Sequence, residues 1–146
     1  MTAPRPVVLD ASVALKWVFD DEQDVEQAVA LRDDFLVRGS VQLFAPTLYV
    51  YELVNGIISA MARRRLDRSR GELALGRLLI VEVALRPPSV ERTFEMAVDF
   101  GLSAYDGSYV ALAEHLGAEL WTADRQLYDA VGKRLPWVRW IADYAA

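Results

Sequence analysis

Short apolar runs alternate with longer stretches of helical periodicity along the chain, and this alternation limits the possible folds more than any other feature. Predicted strands cover residues 7–9, 42–45, 80–85, 118–122 and 137–141. Predicted helices lie between them, at residues 13–19, 24–37, 46–63, 67–78, 90–100, 103–117 and 124–131. Strands that alternate with helices form a parallel sheet with helices on both faces. The sequence therefore predicts a three-layer α/β/α sandwich with a central parallel sheet of about five strands.

The composition permits one compact domain and excludes several kinds of site. The chain has 146 residues, of which 53% are hydrophobic, with no Cys and one His. A chain of this length buries roughly 70% of its unfolded surface, so we expect a single domain over residues 1–146 without disulfides or a structural metal. The absence of Cys excludes thiolate zinc sites, iron–sulfur clusters and Cys nucleophiles. No apolar run approaches the roughly 18 residues of a membrane span, so we expect a soluble cytoplasmic protein.

Four acidic residues stand where parallel sheets gather their functional groups. Asp10 ends the first predicted strand, Asp124 follows the fourth, Asp106 begins the helix before that strand, and Glu52 lies one turn into the helix that starts near Pro46. Function in such folds collects at the carboxyl ends of the strands. If the four side chains converge, they form an oxygen-only site that suits Mg²⁺ or Mn²⁺ and not zinc. Without a cation they would repel one another, and some would be protonated at neutral pH.

Taken singly, these acids also have simpler structural explanations. Asp10 and Asp124 could each cap a helix, and Asp106 could be the last residue of a capping box that begins at Ser103, with Asp in place of Glu. Glu52 is harder to explain in this way, because apolar residues surround it and a buried acid needs a partner. Asn55 lies on the same side of its helix as Glu52, and could hydrogen-bond a carboxylate or RNA or pack on the end of the sheet.

The net charge of −5 does not exclude a nucleic-acid substrate, because removing the four candidate acids leaves −1 on the rest of the chain. Ser12 and Thr122 could stand beside a metal, or could serve as a helix cap and a strand-end hydrogen-bonding group; Ser12 is the predicted cap of the first helix. Lys16 could contact phosphate, although a solvated lysine is the favoured interpretation. A basic cluster could contact phosphates or form a solvated surface; its first three members are Arg63, Arg64 and Arg65.

Four segments in this order resemble the PIN-domain ribonucleases. They are VVLDASVALKW at 7–17, YELVN at 51–55, LSAYD at 102–106 continuing to ALA at 111–113, and LWTAD at 120–124. The chain most resembles the VapC-type toxins of bacterial and archaeal toxin–antitoxin pairs, and the resemblance covers nearly the whole chain. It implies metal-dependent cleavage of single-stranded or looped RNA with 5′-phosphate and 3′-hydroxyl products.

Carried over by position, the resemblance implies the following site. Asp10, Glu52, Asp106 and Asp124 match the family's acidic residues, while the positions of Ser12 and Thr122 match its small polar residues. Our hypothesis is that the three aspartates hold one Mg²⁺ and that Glu52 with Asp10 shares or orients a second. The family also implies a homodimer and a cognate antitoxin whose tail lies in a groove leading to the acids.

Two other functions remain open at this point. The chain could be a catalytically silent PIN-like domain that binds RNA or protein, or an RNA-processing nuclease that is not a toxin. One departure from the family pattern is Gly107, where Ala is usual. Glycine lowers helix propensity by roughly 1 kcal/mol relative to alanine, so we expect a loose start to the helix that contains Asp106.

Overall fold

The computed structural model describes residues 2–146 and contains a five-stranded sheet in which the strand pairings are parallel. The strands are β1 (Arg5–Leu9), β2 (Val41–Pro46), β3 (Ala84–Arg86), β4 (Glu119–Thr122) and β5 (Val138–Trp140). Their order across the sheet is β3-β2-β1-β4-β5. β1 lies at the centre, and its apolar run 7–9 is fully buried because helices cover both faces of the sheet.

Within residues 2–146, seven α-helices connect the strands. They are α1 (Ala11–Ala14), which continues as a 3₁₀ turn over Leu15–Trp17, α2 (Val25–Leu36), α3 (Tyr49–Ala62), α4 (Arg68–Ile80), α5 (Val90–Phe100), α6 (Ala104–Leu116) and α7 (Arg125–Val131). Right-handed crossovers place α2, α3 and α4 on one face and α5, α6 and α7 on the other. The predicted three-layer fold is therefore confirmed. Across residues 2–146, no helix combines the length and the apolar character needed to cross a bilayer.

The direction of the chain across the sheet reverses between β1 and β4. From β1 the chain moves outward through β2 to β3, then returns past both strands to β4 and continues to β5. In open parallel sheets such a reversal leaves a crevice at the carboxyl ends of the two strands, because the helices that follow them lie on opposite faces. This crevice is where the fold can place a functional site.

Helix α6 packs across the centre of the sheet and is unusually buried. It contacts β1, β2 and β4, and residues 107–113 are buried without interruption. Gly107 lies against α5, where an added Cβ would be 2.9 Å from the Thr93 carbonyl oxygen and 3.3 Å from the Ala97 Cβ. The missing side chain thus lets two helices approach closely at the turn that carries Asp106, which offsets the propensity cost anticipated from the sequence.

Two predicted boundaries are wrong. The segment 80–85 was predicted as a strand, but α4 continues to Ile80 and β3 covers only Ala84–Arg86. Leu78 and Val81 are buried while Leu79 and Ile80 are exposed, and a run of only four apolar residues does not distinguish a strand from the last turn of a helix. The first helix begins after Asp10 and not after Ser12, because the Ser12 hydroxyl binds the Asp10 carboxylate instead of a backbone N–H in the first helical turn.

Candidate active site

The four predicted acids lie at the carboxyl edge of the sheet, around the crevice between β1 and β4. Asp10 directly follows β1, and Asp124 follows β4. Glu52 is in the first turn of α3, which begins shortly after β2, and Asp106 is in the first turn of α6. Since α6 leads back to the start of β4, its amino end lies at this same edge. The fold therefore brings together four acids that are far apart in sequence.

Asp10 is the most buried of the four, with 5% of its surface exposed. Its Oδ2 accepts hydrogen bonds from Ser12 Oγ at 2.5 Å and from Thr122 Oγ1 at 2.8 Å, and Ser12 Oγ in turn accepts from the Ala123 N–H at 2.9 Å. Burial raises the Asp10 pKa to about 7; the two hydroxyls act in the opposite direction, and the charges of Glu52 and Asp106 add to the increase. The Asp10 side chain does not cap α1, so that interpretation is wrong.

Glu52 is partly buried and is oriented by a residue of the opposite helical layer. The Tyr109 hydroxyl donates a hydrogen bond to Glu52 Oε1 at 2.6 Å, and Tyr109 itself is fully buried in α6. Burial raises the Glu52 pKa, the Tyr109 hydrogen bond opposes that shift, and the charges of Asp106 and Asp124 reinforce it. The Tyr109 hydroxyl is thus the hydrogen-bond partner that a buried acid such as Glu52 needs.

Asp106 and Asp124 are both partly buried, and the charge of Asp124 acts on Asp106. Burial raises the Asp106 pKa, and the negative charge of Asp124 raises it further. Ser103 caps α6 by accepting from the Asp106 N–H at 3.1 Å, which is the hydrogen bond that a capping box expects from its first residue. Asp124 does cap its helix, because Oδ1 accepts from the backbone of α7 at Gln126, at 2.9 Å. Its capping role and a role in the site are compatible, since the carboxylate has a second oxygen.

The four carboxylates lack cationic partners. Within residues 2–146, none of them forms an ion pair with a Lys, Arg or His. Carboxylate and hydroxyl oxygens without nitrogen or sulfur donors are the ligands that Mg²⁺ and Mn²⁺ prefer, so the donor set fits such an ion. With the side chains as they stand, however, no three acidic or histidine side chains in this part of the chain are grouped closely enough to hold one metal. Which acids ligate an ion therefore stays a prediction.

The remaining predicted site residues occupy different environments. Ser12 and Thr122 donate hydrogen bonds to Asp10. Asn55 is exposed, and the hydrogen bond to Glu52 comes from Tyr109 and not from Asn55. The interpretation of Lys16 as a solvated lysine is wrong: it is 8% exposed and its Nζ donates to the Gln23 carbonyl at 2.7 Å.

The three arginines of the predicted basic cluster lie where α3 ends and the turn to α4 begins, and all are exposed. Arg64 has a φ of 58°, in the left-handed region that non-glycine residues seldom adopt. Arg65 forms ion pairs with Asp21 and Glu22. Their predicted contact with RNA is taken further below.

Sequence reasoning missed Tyr109. The only available signal was a hydroxyl-bearing aromatic one helical turn after Asp106 in an otherwise small and apolar segment. That position places a side chain on the same face as Asp106, but the distance to Glu52 depends on how α6 and α3 meet across the end of the sheet.

Comparison with known proteins agrees with this geometry. Residues 7–133 match the family described as PIN domain. Over 133 residues the chain is 36% identical to ribonuclease VapC9 of Mycobacterium tuberculosis, covering 89% of this chain and 94% of the relative. It is 32% identical to ribonuclease VapC3 of Pyrobaculum aerophilum over 125 residues, covering 83% and 91%. The crystal structure of PAE2754 from Pyrobaculum aerophilum shares the fold, with a TM-score of 0.65 at 24% identity over 87% of this chain and 86% of the other. The chain therefore belongs to the PIN-domain family, and within it to the VapC-type proteins.

Proposed function

We propose that this chain is a divalent-metal-dependent endoribonuclease and the toxin of a toxin–antitoxin pair. The observation that carries the proposal is the group of four carboxylates at the switch point of the sheet, which no basic residue of 2–146 neutralises. The burial of Asp10 and the mutual repulsion of the acids make this arrangement costly unless it binds cations. Relatives named as ribonucleases, aligned over most of the chain, support RNA as the substrate.

In this proposal Asp10, Asp106 and Asp124 hold one Mg²⁺ or Mn²⁺, and Glu52 with Asp10 holds or orients a second. A bound ion supplies positive charge that offsets the charge of a phosphodiester and lowers the pKa of water. The protein contributes preorganisation, because the hydroxyls of Ser12 and Thr122 restrict the Asp10 carboxylate to one orientation.

The nuclease activity is tested with purified protein and structured RNAs in Mg²⁺, in Mn²⁺ and in excess chelator. We expect cleavage only with a metal, and none with Asp10→Asn or Asp106→Asn. Asp99→Asn is the matched control, because this exposed aspartate near the end of α5 lies outside the acid cluster. Metal-dependent binding without cleavage would favour a silent PIN-like domain, and cleavage that survives both substitutions would contradict the assigned site.

The toxin role is tested separately in cells. Expression of the chain alone should arrest growth, and co-expression of the small open reading frame next to its gene should relieve the arrest. Unchanged growth together with RNA cleavage in vitro would indicate an RNA-processing nuclease that is not a toxin. We further propose that the protein is a homodimer acting in the cytoplasm, which light scattering of the purified chain and cell fractionation would check.

A further inference from the structure

A cleft lies along α3, next to residues that flank the acid cluster. Its volume is about 240 Å³, and Ser12 and Ala123 line one end of it. Ser12 donates to Asp10, and Ala123 directly precedes Asp124, so the cleft opens beside the carboxylates. Gly56 and Ser59 of α3 line its length, and Arg63 lines it where α3 ends. A chain lying in this cleft would therefore pass from the acids to the first of the arginines.

A second and larger cleft, of about 480 Å³, adjoins the first. The two share Phe19 and Arg65 in their linings, and the second extends along α4 past Arg70 and Arg77. These two arginines are seven residues apart in a helix, so they lie on the same side two turns from each other. We refer to the two adjoining cavities together as the α3–α4 cleft.

Two cations of the α3–α4 cleft are already used to build its wall. Arg65 forms ion pairs with Asp21 at 3.0 Å and Glu22 at 3.2 Å, and its guanidinium lies 4.6 Å from the centre of the Phe19 ring. Lys16 is buried and pairs with Glu22 at 3.5 Å. These contacts tie the segment after the 3₁₀ turn to the α3–α4 turn.

The other three arginines of the cleft are available to a ligand. Within residues 2–146, Arg63, Arg70 and Arg77 form no ion pair, whereas the chain pairs arginines elsewhere, as with Arg92 and Glu114 at 2.7 Å or Arg139 and Glu119 at 2.8 Å. The linings together hold five basic residues against three acidic ones, a local balance of +2 in a chain of net charge −5. Positive charge is thus concentrated next to the acid cluster.

We propose that the α3–α4 cleft binds the backbone phosphates of a single RNA strand whose scissile bond lies at the acid cluster. Arg63 contacts the phosphates nearest the reaction, and Arg70 and Arg77 contact those farther along the strand. Guanidinium groups bind phosphate oxygens with paired hydrogen bonds, and a basic groove that follows the backbone is a general mode of single-strand binding. The proposal rests on the proposed nuclease function and adds the path of the substrate.

The test measures binding apart from cleavage. A fluorescein-labelled single-stranded RNA of mixed sequence is titrated with the full chain in EDTA, at salt concentrations between 50 and 200 mM, and anisotropy gives the Kd. We expect Arg70→Gln with Arg77→Gln to weaken binding about five- to tenfold and to reduce the slope of log Kd against log salt by about 1.4, as for two lost phosphate contacts. Lys133→Gln with Arg134→Gln removes the same charge after α7, at the opposite edge of the sheet, and should leave both quantities unchanged.

Three results would overturn the proposal. The α4 double variant could bind RNA with the same Kd and the same salt slope as wild type, or the Lys133→Gln, Arg134→Gln control could lose as much RNA affinity as the α4 variant. The third result is that wild type shows no measurable RNA binding. If the α4 variant binds RNA normally but is no longer neutralised by the antitoxin, the cleft serves a protein partner instead. Cleavage in Mg²⁺ is measured in parallel. If wild type cleaves RNA and the α4 double variant binds and cleaves it equally well, only the proposed RNA path through the cleft is refuted. If RNA binding depends on the two arginines but no cleavage occurs, only the nuclease function is refuted.

Discussion

Asp10 and Asp34 are both aspartates with 5% of their surface exposed, yet the charged groups around them have opposite signs. Asp34, in α2, receives a hydrogen bond from Arg38 Nε at 2.5 Å and another from the Tyr144 hydroxyl. Burial by itself raises the Asp34 pKa, but those two hydrogen bonds and the nearby positive charges outweigh it, so the pKa is lowered. Asp10 has only hydroxyl donors and like charges around it, and its pKa rises to about 7.

The difference separates a structural acid from a site acid. Asp34 is neutralised by its own chain and joins α2 to the segment that follows β5. Asp10 is held in a fixed orientation but its charge is left without a protein counterion, which folding alone has no reason to favour. Burial alone therefore does not mark a candidate functional carboxylate, whereas burial without a cationic partner does.

The largest expected difference between the two acids is in activity. Asp10→Asn should reduce RNA cleavage at least about 100-fold, because an amide neither carries the charge that attracts a metal nor ligates it as well. Asp34→Asn should retain wild-type cleavage per folded molecule. Initial rates on a labelled RNA, normalised to the folded fraction from circular dichroism, measure both. Cleavage by Asp10→Asn at more than a tenth of the wild-type rate would contradict the comparison.

A second pair of substitutions removes a hydroxyl from each region. Tyr109→Phe should lower cleavage and Mn²⁺ affinity about 10- to 100-fold, because it releases Glu52 while keeping the ring in the core. Tyr144→Phe makes the same chemical change beside Asp34 and should leave both quantities unaltered. Calorimetric Mn²⁺ titration and cleavage rates test the pair. Equal behaviour of the two variants would show that Tyr109 only packs.

Stability should respond in the opposite order. Asp34→Asn should lower the free energy of unfolding by about 1–3 kcal/mol, because the Arg38 and Tyr144 partners lose a charged acceptor. Asp10→Asn should cause no loss at pH 8 without metal, since it removes a buried charge among like charges. Urea unfolding in EDTA measures both, with Asp99→Asn as the control. A larger loss for Asp10→Asn than for Asp34→Asn would reverse the assignment of structural and site acid.

The last expected difference is in the pH dependence of that stability. The Asp10 carboxyl loses its proton near pH 3.8 when unfolded and near pH 7 when folded, so the folded state binds more protons between these values and wild-type stability falls as the pH rises. The stability of Asp10→Asn relative to wild type should therefore grow between pH 5 and pH 8, by on the order of 2 kcal/mol. Asp34 has the opposite effect on the pH dependence of stability. Because its pKa is lowered in the folded state, its stabilising contribution is lost as the pH falls through that lowered pKa.

Thermal unfolding at the two pH values in EDTA measures this difference, and Mn²⁺ at pH 8 should raise the Tm of wild type but not of Asp10→Asn. A difference between the two proteins that does not change with pH would show that Asp10 is not protonated in the folded state near neutrality.

The sequence predicted the layered fold because hydrophobic periodicity depends on local spacing. It predicted the edge of the sheet where Asp10 and Asp124 lie because each directly follows a buried strand in a parallel arrangement. It failed at Ile80, where a short apolar run suits a helix end or a strand equally well. It failed at Lys16, because the Gln23 carbonyl that binds this ammonium belongs to an irregular segment whose path has no periodic signal.

Local order along the chain thus determined which residue types reach the carboxyl edge: four acids and two small hydroxyls. Tertiary structure alone decided which of them meet. Tyr109 contacts Glu52 across 57 positions, and Thr122 contacts Asp10 across 112, because two helical layers and two neighbouring strands end at the same crevice. Side-chain partners of this kind depend on distances between elements, and those distances are set by packing, which no pattern within a single element records.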